Sequence, residues 1–205
     1  MPSARGARAA RPRRRAEEII DAVAAVFAAR GYHGASTQDV ADRLGMRQAS
    51  LYYYFPSKEA ALEQVCLRSV GDFVERAQAI AGGPGRAADK LAMIIRGHLA
   101  PVEERGDYVR CFLRERRFLP RASARRIGRV ARRYEAILQG VIEAGIAAGE
   151  LRRDLDPRLA TLALLGMCNA AMEWYGREPN ASLGRIADAF AALAIGGMKA
   201  SRGRS

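Results

Sequence analysis

The stretch from Ser36 to Lys58, S-T-Q-D-V-A-D-R-L-G-M-R-Q-A-S-L-Y-Y-Y-F-P-S-K, constrains the fold of this chain more than any other. Ser36 and Asp39 form an S-x-x-D pattern, in which the serine oxygen accepts a free helix N–H and the acid lies at the positive helix end. The apolar residues that follow share one helix face, and Gly45 stands where a left-handed residue can end the helix. The pattern predicts a short, capped helix followed by a tight turn.

A second short helix is predicted to begin near Arg47. Its apolar residues Leu51 and Phe55 are four positions apart and face inward, while Pro56 ends it and Ser57 caps the next helix. The residues that point outward are polar, aromatic or cationic: Arg47, Gln48, Ser50, Tyr53 and Tyr54. Two short helices joined by a glycine turn, with such an outer face on the second, are typical of a helix-turn-helix motif.

The residues on either side of this motif also predict helices. A helix from about Ala16 to Gly31 carries an apolar stripe at helical spacing: Ile19, Ile20, Val23, Val26 and Phe27. With the two short helices it would form a compact unit over residues 16–55, which is too small to be stable without a neighbouring helix. The next helix begins at Ser57 and runs to the Gly82-Gly83-Pro84-Gly85 break. At about 1.5 Å per residue it is long enough to pass from one domain to another.

The net charge of +12 on 205 residues indicates a polyanionic partner or an anionic surface. Residues 1–15 contain six arginines and no acid, and they are predicted to form a flexible basic arm. Two interpretations of this arm stay open, a contact with DNA phosphates or the minor groove and a solubilising tail. Residues 200–205 form a second, short basic tail.

The second half of the chain also predicts helices. Apolar periodicity indicates a helix over residues 86–104, a short helix ended by Pro120 and a long helix from about Ala122 to Gly149. Aspartate before Pro157 caps a further helix, and the last helix begins after Ser182. These last two helices are apolar on more than one side, so we expect a four-helix interface between two copies of the chain.

The predicted fold is therefore all-α, with about nine helices. A helix-turn-helix DNA-binding domain is expected over residues 16–60, and a helical dimerisation domain over residues 61–199. The three cysteines, Cys66, Cys111 and Cys168, are far apart and suit buried thiols in a reducing compartment. No apolar run reaches the roughly 18 residues that span a bilayer, and the N-terminus lacks the apolar core of a signal peptide. We expect a cytoplasmic protein.

Ten arginines stand between Arg110 and Arg133 against the single acid Glu115. Such a run is either a solvated helix face or a site for a phosphate or carboxylate, because guanidinium forks bind both. His98 is interpreted as a core or pocket-wall residue rather than a metal ligand, since no second ligand stands at suitable spacing. The chain has no nucleophile elbow, no glycine-rich phosphate loop and no paired carboxylates, so neither a metal, a cofactor nor an enzyme is expected.

Residues 16–63 resemble the N-terminal DNA-binding domain of the TetR family of bacterial regulators. The resemblance rests on the Gly31-Tyr32 turn, the helix start at Thr37, the Val40-Ala41 and Leu44-Gly45 pairs, and Leu51-Tyr52 through Phe55, Lys58 and Leu62. It implies an all-helical homodimer that binds a palindromic double-stranded operator and releases it when a small molecule enters the C-terminal domain, so residues 61–199 would also be a ligand-binding domain. Repression is the common mode of that family.

The resemblance also implies roles for individual residues. Family positions that face the major groove are occupied by Arg47, Gln48, Ala49 and Tyr53, of which the arginine suits guanine and the glutamine suits adenine. Positions near backbone phosphates are occupied by Thr37, Tyr52, Tyr54 and Lys58, and Gln38 is included in the DNA-binding set. For Tyr52, a place in the core under Leu51 is an equal alternative. Many relatives have histidine in place of Tyr54, and both side chains can donate to a phosphate.

The C-terminal residues F-L-R-E-R-R-F-L-P and D-P-R-L-A-T-L-A-L-L-G-M-C-N-A-A-M-E-W-Y resemble, more loosely, the ligand domains of TetR-family regulators of fatty-acid and steroid catabolism. Those regulators respond to acyl-coenzyme A thioesters. The resemblance implies arginines that meet nucleotide phosphates and an apolar cavity for the acyl group. The candidate ligand-binding residues are His98, Phe112, Arg114, Arg117, Tyr134, Met167, Asn169, Met172 and Trp174.

Three alternatives stay open. A multidrug sensor of the same fold would need buried acids and aromatic cages for cations. The only acid late in the predicted helix that begins at Pro157 is Glu173. A helical enzyme acting on an anionic acyl substrate would have only His98 as a base. A non-specific nucleic-acid-binding protein would explain the charge, but it would not need the outward Arg47-Gln48 pair.

Overall fold

The computed structural model describes residues 4–178 and 181–200, with side chains from residue 14 onwards. Within these residues the chain forms ten α-helices: α1 (Ala4–Gly34), α2 (Thr37–Arg43), α3 (Gln48–Leu51), α4 (Lys58–Gly82), α5 (Ala87–Leu99), α6 (Pro101–Glu104), α7 (Gly106–Arg110), α8 (Arg121–Ala147), α9 (Pro157–Trp174) and α10 (Leu183–Met198). A π-helical turn spans Cys111–Glu115, and 3-10 turns span Arg116–Phe118 and Tyr175–Arg177. The predicted all-α fold is confirmed. None of the described helices is long and apolar enough to cross a membrane.

Helix α1 starts earlier in the chain than predicted. It begins at Ala4, whereas the sequence predicts a start near Ala16, and the backbone of residues 4–15 is helical. Alanine and arginine dominate this segment and favour a helix, which outweighs the opposing preference of Gly6 and Pro12. Gly31, with φ +70 and ψ 164, interrupts α1 at the predicted end of the helix. Residues 1–3 and the tail beyond residue 200 lie outside the described residues.

The chain divides into two compact units. The first consists of Met1–Val70 and Arg105–Gly128, and the second consists of Gly71–Glu104 and Arg129–Ser205. By packing, the first unit is therefore larger than the predicted domain of residues 16–60. Helices α4 and α8 each contribute residues to both units.

Hydrogen bonds donated by two side chains of the segment after residue 105 attach it to α1 within the first unit. The Tyr108 hydroxyl donates to Asp21 Oδ1 at 2.5 Å, and Cys111 Sγ donates to the Ala24 carbonyl at 3.4 Å. Both donors are buried. The core of this unit is built from the apolar stripes that the sequence predicts, and its fully buried side chains include Ile19, Val23, Phe27, Leu51, Phe55, Leu62 and Val65.

In the second unit, α5 packs along α10 and α9. The predicted helix over residues 86–104 is divided at Ala100, because Pro101 has no N–H with which to continue the hydrogen-bond ladder. Asp156 caps α9 as predicted, since its Oδ1 accepts from the Leu159 N–H at 3.0 Å. Buried apolar residues of α5 are Leu91, Ile94, Ile95 and Leu99, and they share this face with His98.

Candidate DNA interface and effector region

The cap of α2 has the geometry that the S-x-x-D pattern predicts. The Asp39 N–H donates to Ser36 Oγ at 3.1 Å, and the Ser36 N–H donates to Asp39 Oδ2 at 2.8 Å. The Ser36 hydroxyl also donates to Asp39 Oδ2 at 2.8 Å, and the bonds from the Ser36 hydroxyl and N–H, together with the nearby Arg30 guanidinium, lower the pKa of the Asp39 carboxyl. Gly45 has φ +60 and turns the chain towards α3. The predicted helix-turn-helix geometry is confirmed.

The two faces of α3 and of the turn after it differ sharply in exposure. Leu51 and Phe55 are buried, as predicted, whereas Tyr53 is 88% exposed and Tyr52 is 50% exposed. The alternative that placed Tyr52 in the core is wrong, because α3 ends at Leu51 and Tyr52 lies in the following turn. The half-buried Tyr54 ring packs edge-on against Tyr53, with 5.3 Å between ring centroids.

All nine predicted DNA-binding residues belong to the first unit. The exposed members are Gln38, Arg47, Ala49, Tyr52 and Tyr53, and the half-buried members are Thr37, Gln48, Tyr54 and Lys58. Gln48 Nε2 donates to Thr37 Oγ1 at 2.6 Å, which joins a residue predicted to read bases to one predicted to contact a phosphate. Gln38 Nε2 donates to Asp42 Oδ1 at 2.6 Å within α2.

One residue in contact with this set was assigned no functional role from the sequence. Lys58 Nζ lies 4.3 Å from the centroid of the Tyr32 ring, which is buried at the break in α1. The sequence identified Tyr32 only as part of a glycine-aromatic turn. Its contact with Lys58 joins residues from two separate helices, so no local periodicity can indicate it.

The predicted ligand-binding residues are divided between the two units. Phe112, Arg114 and Arg117 belong to the first unit, and the other six belong to the second. In the first unit, the Arg117 guanidinium lies 4.8 Å from the Phe118 ring centroid, and the Arg116 guanidinium lies 4.7 Å from the Phe112 ring centroid. These aromatic rings can orient two of the arginines of the predicted cationic run.

Three of the predicted residues in the second unit form one hydrogen-bonded chain. His98 Nδ1 lies 2.9 Å from the Tyr134 hydroxyl, and His98 Nε2 lies 3.2 Å from Asn169 Oδ1. Because an amide oxygen only accepts, His98 is assigned its proton on Nε2, and the Tyr134 hydroxyl donates to Nδ1. Burial lowers the pKa of His98 to about 4, so the imidazole is neutral at pH 7. Phe73, which the sequence did not place at a site, stacks on it at 4.9 Å.

The remaining predicted ligand residues, Met167, Met172 and Trp174, are half-buried on α9. The Trp174 ring packs edge-on against Phe190 of α10, at 6.3 Å between centroids.

The described residues contain no group of three or more His, Cys, Asp or Glu side chains that could bind a metal ion.

Two cavities lie within the second unit. One has a volume of about 480 Å³, and its wall includes small residues of α8, among them Ala136, Gly140 and Ala144. None of the predicted ligand residues lines it. The other, of about 440 Å³, lies between α9 and α10 and is lined by Trp174 and Phe190 among others. Of the predicted set, only Trp174 therefore lines either of these cavities.

Large leucine side chains on α9 and α10 are exposed to solvent. Leu159 is 64% exposed and Leu162 is 42% exposed on α9, and Leu193 is 70% exposed on α10. Leucine in these positions leaves much of its apolar surface in water in a single chain, and a surface with several such residues is typical of a protein interface. The final two helices are those for which the sequence predicts an interface between subunits.

Two family models together cover most of the chain. Residues 19–65 match the family described as bacterial regulatory proteins, tetR family, and residues 84–198 match the tetracyclin repressor-like C-terminal domain. The chain belongs to the TetR family. The predicted resemblance is thus confirmed, and with it the assignment of this TetR-family chain as a DNA-binding transcriptional regulator.

Relatives of this TetR-family chain include regulators of lipid metabolism. It is 27% identical to the fatty acid metabolism regulator protein of Bacillus subtilis over 88% of this chain and 94% of that protein. It is 25% identical to the transcriptional repressor KstR2 of Rhodococcus jostii, over 90% and 91% of the two chains. The crystal structure of FadR from B. subtilis in complex with stearoyl-CoA superimposes with a TM-score of 0.78 at 26% identity, covering 89% of this chain and 98% of that one.

Proposed function

We propose that this TetR-family regulator is a repressor that binds a palindromic operator as a homodimer and releases it when an acyl-coenzyme A-type ligand binds. The DNA-binding part of this proposal rests on the exposure of the outer face of α3 and of the turn after it. Tyr53, Tyr52 and Arg47 are exposed there while Leu51 and Phe55 are buried, so the outer side chains are not needed to form the core. Aromatic and cationic side chains in this position suit base edges and phosphates.

Dimerisation is supported by the exposed leucines of the last two helices. Two helix-turn-helix motifs that bind successive major grooves must be about 34 Å apart. A symmetric dimer through α9 and α10 would bury Leu159, Leu162 and Leu193 and provide the second copy of the motif. A ligand would release DNA by favouring a dimer in which that spacing is wrong, and α4 is the helix best suited to carry the change.

The ligand class is supported by the relatives named above and by the cationic run of the chain. B. subtilis FadR was crystallised with stearoyl-CoA, and the fatty acid metabolism regulator aligns with nearly the whole of this chain. The arginines of the segment from Arg110 to Arg133 suit the phosphates of a nucleotide. We assign the acyl thioester as the effector on these grounds.

The structure argues against catalysis by His98, the candidate base of the enzyme alternative. Both ring nitrogens of His98 are within hydrogen-bonding distance of partners, and its pKa is lowered by burial, so it is poorly placed to take a proton from a substrate. We therefore infer a regulator without an enzymatic role. A regulator that binds operator DNA acts where the chromosome lies, so we assign it to the cytoplasm.

Selection of duplexes from a random pool, followed by salt-titrated binding, tests the DNA-binding part. We expect the selection to yield a palindromic sequence, which the protein binds roughly 10³-fold or more tightly than random duplex. Arg47→Ala should relax the preference at one base step of each half-site, because Arg47 is exposed and suited to guanine. Equal affinity for selected and random duplexes at every salt concentration would contradict specific binding.

A chain-length series of acyl-CoA thioesters tests the ligand class. We expect stearoyl-CoA to raise the melting temperature and to weaken binding to the selected duplex, because a ligand stabilises the state that it binds. Free coenzyme A and free stearate serve as matched controls for the two halves of the molecule. Identical melting temperatures across the whole series would rule out this class of effector.

A further inference from the structure

Tyr32 lies at the break in α1 and contacts two other segments of the first unit. It directly follows Gly31, whose φ of +70 interrupts the helix, and its side chain is 8% exposed. Its backbone N–H donates to Glu115 Oε2 at 2.8 Å. Because Glu115 ends the π-helical turn Cys111–Glu115, this bond ties the break in α1 to an unusual backbone segment.

The Tyr32 side chain contacts the first two residues of α4. Its hydroxyl donates to Glu59 Oε1 at 2.5 Å, and Lys58 Nζ lies 4.3 Å from its ring centroid. The bond from Tyr32 is the main cause of the lowered pKa of Glu59, and burial raises the pKa of Tyr32 to about 12. Near pH 7 the phenol therefore stays protonated and the carboxylate stays ionised, so the contact persists.

A second aromatic ring restricts the orientation of Tyr32. Phe118 stacks on it with 5.5 Å between centroids and an angle of 16° between ring planes. Phe27 and His33 pack edge-on at 5.9 Å and 5.4 Å. With its N–H, hydroxyl and ring all in contact, Tyr32 provides a fixed aromatic surface beneath the Lys58 ammonium.

We propose that Tyr32 is a positioning residue for DNA binding, which orients the Lys58 ammonium for its contact with a backbone phosphate. The inference rests on the phosphate role of Lys58 in the proposed function. A lysine side chain has four flexible carbons, and ordering it on binding costs conformational entropy. A ring that attracts the ammonium without neutralising it reduces that cost before DNA arrives.

A double-mutant cycle on the full-length protein separates this role from a purely structural one. We expect Tyr32→Leu to weaken binding to the selected duplex about five-fold in the parent protein, and not at all in the Lys58→Ala background. Tyr32→Phe keeps the ring and removes only the bond to Glu59, so it should bind within two-fold of the parent. An equal loss from Tyr32→Leu in both backgrounds, or no loss in either, would overturn the proposal.

The Lys58→Ala protein alone distinguishes failure of this inference from failure of its premise. Loss of one phosphate contact should reduce the slope of log K against log salt by about one. An unchanged slope would remove Lys58 from the phosphate contacts, and the positioning role of Tyr32 would fall with it. A reduced slope together with an additive cycle would overturn the positioning role alone. Absence of operator preference in the parent protein would instead contradict the specific repressor, and the cycle would then be measured on random duplex.

A spectroscopic measurement on the unmodified sequence keeps the test independent of whether Tyr32→Leu folds. The chain has three lysines, Lys58, Lys90 and Lys199, so a protein labelled with ¹³C-lysine gives three sets of side-chain signals. We expect the Lys58 ε-methylene protons, assigned with Lys58→Arg, to be shifted upfield by the Tyr32 ring current. The shift should persist in the DNA complex. An unshifted signal in the free protein, or loss of the shift on DNA, would contradict the proposal.

Discussion

Gln48 Nε2 donates a hydrogen bond to the Thr37 hydroxyl at 2.6 Å, and so joins the first residue of α3 to the first residue of α2. Both side chains are half-buried, which limits the access of competing water. The bond holds the glutamine amide in one orientation next to the exposed Arg47. An amide that is already oriented loses less conformational entropy when it meets a base.

Removal of the Thr37 hydroxyl should therefore weaken operator binding. Thr37→Val keeps the shape of the side chain but removes the acceptor, and loss of a hydrogen bond of about 1 kcal/mol corresponds to about a five-fold weaker affinity. Thr37→Ser retains the hydroxyl and is the matched control. Fluorescence anisotropy on the selected duplex measures both. Equal affinities of the valine and serine variants would show that this bond does not orient the Gln48 amide for DNA binding.

A charge at the exposed leucine of α10 should separate the subunits. Leu193→Glu places a carboxylate at a side chain that is 70% exposed in the single chain, so the monomer should fold normally while burial of the charge in an interface becomes unfavourable. Light scattering should show a monomer, and binding to a palindrome should fall by at least ten-fold. Met93→Glu on α5, at a residue that is 51% exposed, is the control and should remain dimeric. A dimeric Leu193→Glu protein would exclude this residue from the interface.

The buried His98 should make stability depend on pH between 7 and 5. Its pKa is lowered to about 4 in the folded state, against about 6.5 in an unfolded chain. Because only the unfolded state gains the proton in this range, the free energy of unfolding should fall as pH decreases through 6.5, by about 2 kcal/mol at pH 5. Urea unfolding of the parent and of His98→Gln measures this difference.

The chain has two histidines, and His33→Gln at the exposed one is the matched control substitution. The His33→Gln protein should keep the full decrease between pH 7 and 5, whereas His98→Gln should lose most of it. The same pH dependence in all three proteins would mean that His98 is not the group responsible.

Two glycines of α8 should respond in opposite ways to alanine. A Cβ at Gly145 would lie 2.6 Å from Ala87 Cβ and 2.8 Å from Leu151 Cδ1, so Gly145→Ala should lower the free energy of unfolding by about 1–3 kcal/mol. Gly140→Ala meets nothing within 4 Å and should raise it by up to about 1 kcal/mol, because alanine favours a helix. Thermal melting compares the two. A stable Gly145→Ala protein would show that α8 does not approach Ala87 so closely.

The helix-turn-helix was predictable because its signals are local. Ser36 and Asp39 cap α2 through residues three positions apart, and Gly45 adopts the positive φ that its place in the turn predicts. The burial of Leu51 also follows from helical spacing over a few residues, whereas the exposed Tyr53 lies in the turn after α3. The start of α1 was predicted too late because the apolar stripe begins only at Ile19, although the alanines and arginines before it favour a helix.

The candidate ligand-binding residues were harder to predict than the helix-turn-helix, because contacts between distant segments decide which of them lie together. His98, Tyr134 and Asn169 form one hydrogen-bonded chain, whereas Phe112, Arg114 and Arg117 belong to the other compact unit. The cavity of about 480 Å³ depends on small residues such as Gly140, which carry no chemical signal of binding. The loose resemblance indicated a set of candidate residues, and it could not say which of their side chains face the same space.

By itself, the sequence determined the all-α fold, the capped helix-turn-helix and the outward Arg47 to Tyr54 face, because caps, turns and helical periodicity act over a few residues. Tertiary structure alone decided that Glu115 accepts from the Tyr32 N–H and that the Tyr32 ring lies under Lys58. It also decided that the ring nitrogens of His98 meet Tyr134 and Asn169. These contacts join residues far apart in the chain, and only folding brings them within hydrogen-bonding distance.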